Sequence, residues 1–160
     1  MTEIFVKDNL LHLRNDHISY IIYILEGGVP AHLYFGKRME GFNPVSILRR
    51  YDLSPDSWSP HNCCLDHTPH EYPAHGLGDL REGAVSVRQK DGTRSVDLRV
   101  TGWEVVDGKP GIPGLPATFG DNAKTLLLHL KDELIGLTAT LSYTLFDDAA
   151  AVMRHTELHN

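Results

Sequence analysis

The chain has 160 residues, a length that suits one domain and buries roughly two thirds of the unfolded surface. Its 21 acidic and 15 basic residues give a net charge of −6, which leaves no continuous positive surface for a nucleic acid. No apolar run approaches the roughly 18 residues of a membrane helix, and residues 1–4 lack the basic start and apolar core of a signal peptide. We therefore expect a cytoplasmic protein with neither a nucleic-acid nor a membrane partner.

The first third of the chain predicts a pair of strands. Residues 18–24 are rich in β-branched and aromatic side chains, and a Gly-Gly-Val-Pro sequence interrupts them at residues 27–30 before a second strand over residues 31–35. A short helix over residues 20–25 is the alternative, and the β-branched content disfavours it.

Regular periodicity is absent from residues 37–79, which are punctuated by five prolines. A loop longer than about 12–15 residues in a compact domain is usually functional or disordered. Its apolar side chains favour an ordered loop, covered by another domain or subunit. These side chains are Phe42, Ile47, Leu48, Tyr51, Trp58 and Leu65.

A hairpin is predicted next, because residues 85–88 and 96–100 alternate in polarity on either side of an Asp91-Gly92 turn. Residues 103–106 extend the meander. Residues 109–116 form a rigid connection, because their three prolines have no N–H group to donate a hydrogen bond to a neighbouring strand.

Three further strands are predicted in the last third of the chain. Residues 125–130 and 137–146 have strand length, and in the second segment four hydroxyl residues alternate with alanine, leucine and tyrosine. A turn at residues 147–151 leads to a strand over residues 152–158. The sequence therefore predicts an all-β fold of antiparallel strands with one long ordered loop.

Five stretches, in this order and spacing, resemble the N-terminal β-sandwich domain of glycoside hydrolase family 36, the α-galactosidases. They are residues 70–81 (HEYPAHGLGDLR), 114–119 (GLPATF), 124–126 (KTL), 141–146 (LSYTLF) and 154–160 (RHTELHN). The resemblance implies that residues 1–160 are the N-terminal portion of a β-supersandwich of the galactose-mutarotase-like type. It also implies a catalytic TIM barrel downstream that these residues do not contain.

The same resemblance implies a retaining α-galactosidase that hydrolyses terminal α-galactosyl residues of melibiose-type and raffinose-type oligosaccharides. Retaining hydrolysis uses two carboxyl groups roughly 5–5.5 Å apart, and in the family both are aspartates on the barrel. We therefore expect no catalytic residue in this chain and no cofactor. Family members commonly assemble as homo-tetramers, so a homo-oligomer is expected.

Two other classes of protein remain open. A non-catalytic carbohydrate-binding module is a frequent use of a β-sandwich, and an interaction domain whose long loop packs on a partner also fits the apolar loop residues. The sequence that follows residue 160 discriminates between the enzyme and the binding module.

Two residues of the long loop are candidates for substrate binding. Asp52 matches, by resemblance, a family aspartate that reaches the galactose pocket, where a carboxylate accepts hydrogen bonds from sugar hydroxyls. Trp58 offers an apolar ring that could stack on a pyranose. The alternatives are a solvated loop aspartate or helix N-cap for Asp52, and a core or interface anchor for Trp58.

Glu71, Asp79 and Arg81 are interpreted as a structural network in which the Asp/Arg pair binds neighbouring backbone or another subunit. A histidine- and cysteine-rich stretch nearby also resembles a metal site. However, Cys63 and Cys64 are adjacent, whereas structural zinc sites usually space cysteines by two to four residues. Adjacent cysteines also rarely bridge. We expect neither a metal site nor a disulfide scaffold.

Overall fold

The computed structural model describes residues 1–41, 48, 65, 68–76, 81–114, 116–118, 120 and 122–160. These residues form strands and no helix. The strands are β1 (Glu3–Lys7), β2 (Leu10–Arg14), β3 (Ile18–Ile24), β4 (Pro30–Lys37), β5 (Arg99–Asp107), β6 (Ala123–Lys131), β7 (Thr138–Phe146) and β8 (Val152–His159). They pair into two antiparallel sheets, in the orders β1-β2-β3-β4 and β5-β6-β7-β8. The all-β prediction is confirmed.

The predicted strands over residues 18–24 and 31–35 are β3 and the centre of β4, which rules out the alternative helix. The strands β5 to β8 contain the other predicted segments from residue 103 onward. The strands β1 and β2 were not predicted from the sequence. A two-residue turn joins them, and its first residue, Asp8, has a φ of 53°.

The main core lies between the two sheets and is built by strand alternation. The inward side chains of β6 and β7 are buried and pack against those of β2 and β3. They include Leu126, Leu128, Leu130, Leu141 and Tyr143 on one side and Leu11, Leu13, Tyr20 and Ile22 on the other. Burial of each large apolar side chain contributes about 1.5–3 kcal/mol. This packing holds the sheets face to face.

The predicted hairpin of residues 85–100 is only partly correct. Its turn exists, because the N–H of Gln89 donates to Thr93 O at 2.9 Å and Gly92 has a φ of 88°. However, a regular strand begins only at Arg99. Both arms instead pair with residues 74 and 75: Val85 forms a parallel bridge with Ala74, and the N–H of Val96 donates to His75 O. This non-local pairing replaces the predicted ladder.

A second apolar cluster covers the other face of the first sheet. It contains Ile21, Leu25, Val29, Ala31 and Leu33, and both Leu48 and Leu65 of the long loop pack against it. These two side chains are therefore covered by the first sheet of this chain, whereas a cover from another domain or subunit was expected. The other predicted anchors, Phe42, Ile47, Tyr51 and Trp58, lie outside the described residues.

Asn15 ties the two sheets together near the turns between β2 and β3 and between β7 and β8. Its side-chain amide donates to Phe146 O at 2.7 Å and Ala149 O at 2.8 Å, and its Oδ1 accepts from the N–H groups of His17 and Ile18. The residue is fully buried. The two bonds to Phe146 O and Ala149 O cross between the sheets, so they stay satisfied only while the sheets keep this alignment.

Across the ranges described, no helix has the length and apolar character that a membrane crossing requires.

Candidate functional site around Glu71

Residues 69–71 form a short extension of the first sheet at the free edge of β4. The N–H of His32 donates to Pro69 O at 2.7 Å, and the N–H of Glu71 donates to Pro30 O at 2.9 Å. Ala31 and His70 form the antiparallel bridge between these bonds. This pairing carries the Glu71 side chain inward, towards the gap between the two sheets.

The Glu71 carboxylate is buried and fully engaged. Its side chain is 1% exposed. Oε1 accepts from the hydroxyls of Tyr20 at 2.6 Å and Tyr143 at 2.9 Å, and it lies 2.7 Å from Nη2 of Arg154. Oε2 lies 3.0 Å from Nδ1 of His32. A buried carboxylate is costly unless it is paired and hydrogen-bonded, and here both conditions hold.

The protonation states of these partners follow from their surroundings. Burial, followed by the Glu71 charge, raises the pKa of Tyr20 well above its ordinary value, and burial does the same for the pKa of Tyr143. Burial is the largest single influence on the pKa of Arg154 and lowers it, but the interactions with Glu71, Tyr143 and Tyr20 together outweigh burial, so the net shift of this pKa is upward. At neutral pH both phenols are therefore donors and Arg154 is a cation.

The same residues stack on one another at the edge of the sandwich. The Arg154 guanidinium carbon lies 4.9 Å from the centre of the Tyr143 ring and 5.9 Å from that of Tyr20, within cation–π range. The ring of Tyr20 also contacts Phe35, with centroids 5.7 Å apart. The Glu71 cluster, defined as Glu71, Tyr20, His32, Tyr143 and Arg154, thus joins β3, β4, β7 and β8.

The chemistry of the Glu71 cluster is that of an ion-pair centre. The direct contacts of the Glu71 carboxylate are two phenols, an imidazole and a guanidinium, so both of its oxygens are taken up by hydrogen bonds and an ion pair. Glu71 is therefore placed to hold structure, and Arg154, 45% exposed, is the part of the cluster that reaches the surface.

The structural network expected of Glu71, Asp79 and Arg81 is described only for Glu71 and Arg81, and the partners of Glu71 are residues other than these. Besides the contacts of Glu71, Nη2 of Arg81 donates to Thr68 O at 2.8 Å, so Arg81 binds neighbouring backbone as predicted. Asp79 lies outside the described residues, as do both candidate substrate-binding residues, Asp52 and Trp58.

The sequence did not identify the partners of Glu71. Two signals were available: Tyr20 places a phenol among the aliphatic residues of β3, and Arg154 places a cation in β8. Neither signal says that these residues meet, because the meeting depends on how the sheets stack.

No group of three or more potential metal ligands is assembled within the described ranges. Cys63 and Cys64 of the histidine- and cysteine-rich stretch lie outside those ranges. Of the nearby histidines that are described, His70 places Nε2 at 3.0 Å from Leu65 O, which assigns this nitrogen to holding the loop.

A separate cleft of about 290 Å³ lies between residues 95–99 and residues 131–134. Its charged side chains include two close ion pairs, Arg99 with Asp97 and Lys131 with Glu133. The buried Asp132 accepts hydrogen bonds from the backbone of the same segments. These groups bind one another, and the cleft adds no reactive residue to the site.

Comparison with known proteins gives a consistent result. The model of the glycosyl hydrolase family 36 N-terminal domain matches residues 28–160. The alpha-galactosidase Mel36A of Lactobacillus acidophilus is 32% identical over 163 residues, which cover 96% of this chain and 22% of that protein.

Two solved structures share the fold. The GH36 alpha-galactosidase AgaB from Geobacillus stearothermophilus superposes with a TM-score of 0.86 at 32% identity, covering 99% of this chain and 22% of that one. A variant of AgaA from the same organism, in complex with raffinose, gives a TM-score of 0.85 at 34% identity, covering 94% and 22%.

The chain thus spans about a fifth of the length of the relatives it matches. The family model covers most of the chain, and relatives at this identity align along nearly all of it. The chain belongs to glycosyl hydrolase family 36, of which it is an N-terminal domain.

Proposed function

We propose that residues 1–160 are the N-terminal portion of the β-supersandwich of a retaining α-galactosidase. The enzyme releases terminal α-galactosyl residues from oligosaccharides of the melibiose and raffinose type. The observation that carries the proposal is the similarity to AgaA, solved with raffinose, at a TM-score of 0.85 and 34% identity.

In this proposal the two catalytic carboxyl groups lie on a TIM barrel that follows residue 160. The comparisons support this division, because the chain aligns with only about a fifth of the length of the α-galactosidases that it matches. The domain shapes the galactose pocket through Asp52 and Trp58 and contributes to a homo-oligomeric, tetrameric interface. A cytoplasmic location is part of the same proposal.

The proposal is tested by assaying two polypeptides on a chromogenic α-galactoside and on raffinose. The 160-residue chain should release no product, whereas the complete polypeptide should release galactose, first as the α-anomer when followed by NMR. Absence of hydrolysis by the complete polypeptide would overturn the proposal. If that polypeptide binds raffinose without cleaving it, the domain belongs to a carbohydrate-binding protein.

A further inference from the structure

The second half of β5 carries two large apolar side chains that are open to solvent. Trp103 is 39% exposed and Val105 is 44% exposed. They lie directly opposite Leu128 and Leu126 of β6, which are fully buried in the main core. Because opposite residues of an antiparallel pair point to the same face, Trp103 and Val105 face the core layer. The cover that buries β6 ends before it reaches them.

The cover ends here because the first sheet reaches only part of β5. At the start of β5, the N–H of Val100 donates to Gly28 O at 2.8 Å, so the turn between β3 and β4 lies against this end. Farther along, β1 is the outermost strand of the first sheet and lies over β6. On β1, Val6 faces the same side as the partly buried Ile4 but is 39% exposed.

We define the open strip as Val6, Trp103 and Val105. Its composition is that of a core layer, since all three side chains are large and apolar, whereas Glu104 lies on the opposite side of β5. The one polar group that they offer is the indole N–H of Trp103. The open strip therefore fits an apolar partner better than an ionic one.

The strands on both sides of the open strip also have free edges. Among the described strands, β1 pairs with β2 alone and β5 pairs with β6 alone. Each strand therefore presents backbone N–H and C=O groups along its outer edge, and such an edge pairs with a further extended segment. An extended segment with apolar side chains satisfies the edges and covers the open strip together.

Two observations favour one source for this segment. A stable interface between two proteins takes about 20–30 residues a side, far more than the open strip offers to a second copy. The structure of AgaB matches 99% of this chain over only 22% of its own length. A segment of the same polypeptide needs less contact area, because covalent linkage gives it a high effective concentration.

We propose that the open strip docks an extended apolar segment of the same polypeptide, contributed by the part that lies outside residues 1–160. The inference rests on the proposed function, in which these residues are one portion of a larger enzyme. The docked segment covers Trp103 and Val105 and continues the layer of the first sheet past β1.

Hydroxyl-radical footprinting of the complete polypeptide tests whether the open strip is covered, and it needs no substitution. Radicals oxidise accessible indole rings, and mass spectrometry measures the rate at Trp103. We expect this rate to be about tenfold lower in the folded polypeptide than in urea, as for a buried side chain. A ring that stays 39% exposed would react at a rate within about threefold of the rate in urea, and this result would overturn the inference.

Photo-crosslinking identifies what covers the open strip. Trp103→p-benzoylphenylalanine places a photoreactive ring in the strip of the complete polypeptide. Glu104→p-benzoylphenylalanine is the matched control, because it places the same ring on the other side of β5. We expect the first variant to link to a peptide from outside residues 1–160, in a product of monomer mass on a denaturing gel. The control should not link to that peptide.

Three results of the crosslinking would overturn the inference. A product of dimer mass would show that a second copy covers the strip. A link within residues 1–160, or no link at all, would show that the rest of the polypeptide does not reach Trp103. The same linked peptide from both variants would show that the contact is not specific to the open strip.

Hydrolysis of raffinose by the same preparations separates the inference from the proposed function. Hydrolysis together with a reactive Trp103 keeps the enzyme assignment and rejects the docking. Protection of Trp103 without hydrolysis rejects the enzyme assignment and keeps the docking. Hydrolysis with a protected Trp103 supports both.

Discussion

The side chains of Glu71 and Arg154 form an ion pair of 2.7 Å between Oε1 and Nη2, which joins the short edge segment beside β4 to the strand β8 of the other sheet. The pair is asymmetric, since Glu71 is buried and Arg154 is partly exposed. Removing Arg154 therefore has a different physical consequence from removing Glu71. Loss of the Arg154 cation leaves the buried Glu71 carboxylate without its counter-charge, whereas loss of the Glu71 carboxylate leaves a cation that water can reach.

The first prediction concerns Arg154→Met. The Glu71 carboxylate would keep only neutral donors and His32, so the free energy of unfolding should fall by about 2–3 kcal/mol, below the value for a fully buried pair because Arg154 is half in water. Urea unfolding measures this loss. Lys131→Met, which breaks an exposed ion pair with Glu133, is the control and should cost less than about 1 kcal/mol. Equal losses in the two variants would refute the assignment.

The second prediction concerns alkaline pH. The pKa values of Tyr20 and Tyr143 are raised in the folded state, whereas tyrosines of the unfolded chain titrate near pH 10. The contribution of each phenol is therefore complete below about pH 10 and is lost as pH rises, at about 1.4 kcal/mol per pH unit for each retained proton. Tyr20→Phe should reduce this slope by one proton. A slope unchanged by the substitution would contradict the prediction.

Much of the fold could be predicted from local patterns. The alternation of Thr138, Thr140, Ser142 and Thr144 with apolar residues identified β7, and the β-branched run identified β3. In β2 the pattern failed, because its leucines and histidine lack strand preference and the strand is imposed by pairing with β3. The prediction for residues 85–98 failed for a related reason, since Val85 bridges Ala74 and the N–H of Val96 donates to His75 O.

The Glu71 cluster could not be predicted from local sequence patterns, and the reason is topological. The side chains that meet at Glu71 come from residues 39 to 83 positions away along the chain. Their meeting requires the strand order of both sheets and the way the sheets stack. The segment at residues 70–81 could be recognised as special from its glycines and acid, but its partners could not be named.

The third prediction concerns Asn15→Ala. The substitution leaves two part-buried carbonyls and two N–H groups without the partner that Asn15 provides, and stability should fall by about 2–4 kcal/mol. Thermal or urea unfolding would record the loss. Asn122→Ala, at an exposed asparagine, should stay within about 0.5 kcal/mol of the parent. If Asn15→Ala changes the free energy of unfolding as little as Asn122→Ala does, the hydrogen bonds of Asn15 do not stabilise the fold.

The fourth prediction concerns association of the 160-residue chain. Strand β8 lies at an edge of its sheet, and Leu158 on it is 46% exposed. Unprotected strand edges pair with other chains. We expect self-association in sedimentation or gel filtration, reduced by Leu158→Lys. Leu134→Lys changes a more exposed leucine, at 91%, in a turn and should leave association unchanged. A sharp monomer peak for the parent chain would reject this prediction.

The fifth prediction concerns the candidate pocket in the complete enzyme. Asp52→Ala should lower kcat/KM on raffinose about ten- to a hundredfold, since a charged hydrogen bond to a sugar hydroxyl contributes about 1.5–3 kcal/mol. Cys63→Ser and Cys64→Ser should leave both the kinetics and the metal content unchanged. These residues share the loop with Asp52, so general damage to the loop would affect all three variants alike. Stoichiometric zinc that disappears with either cysteine would establish the metal site instead.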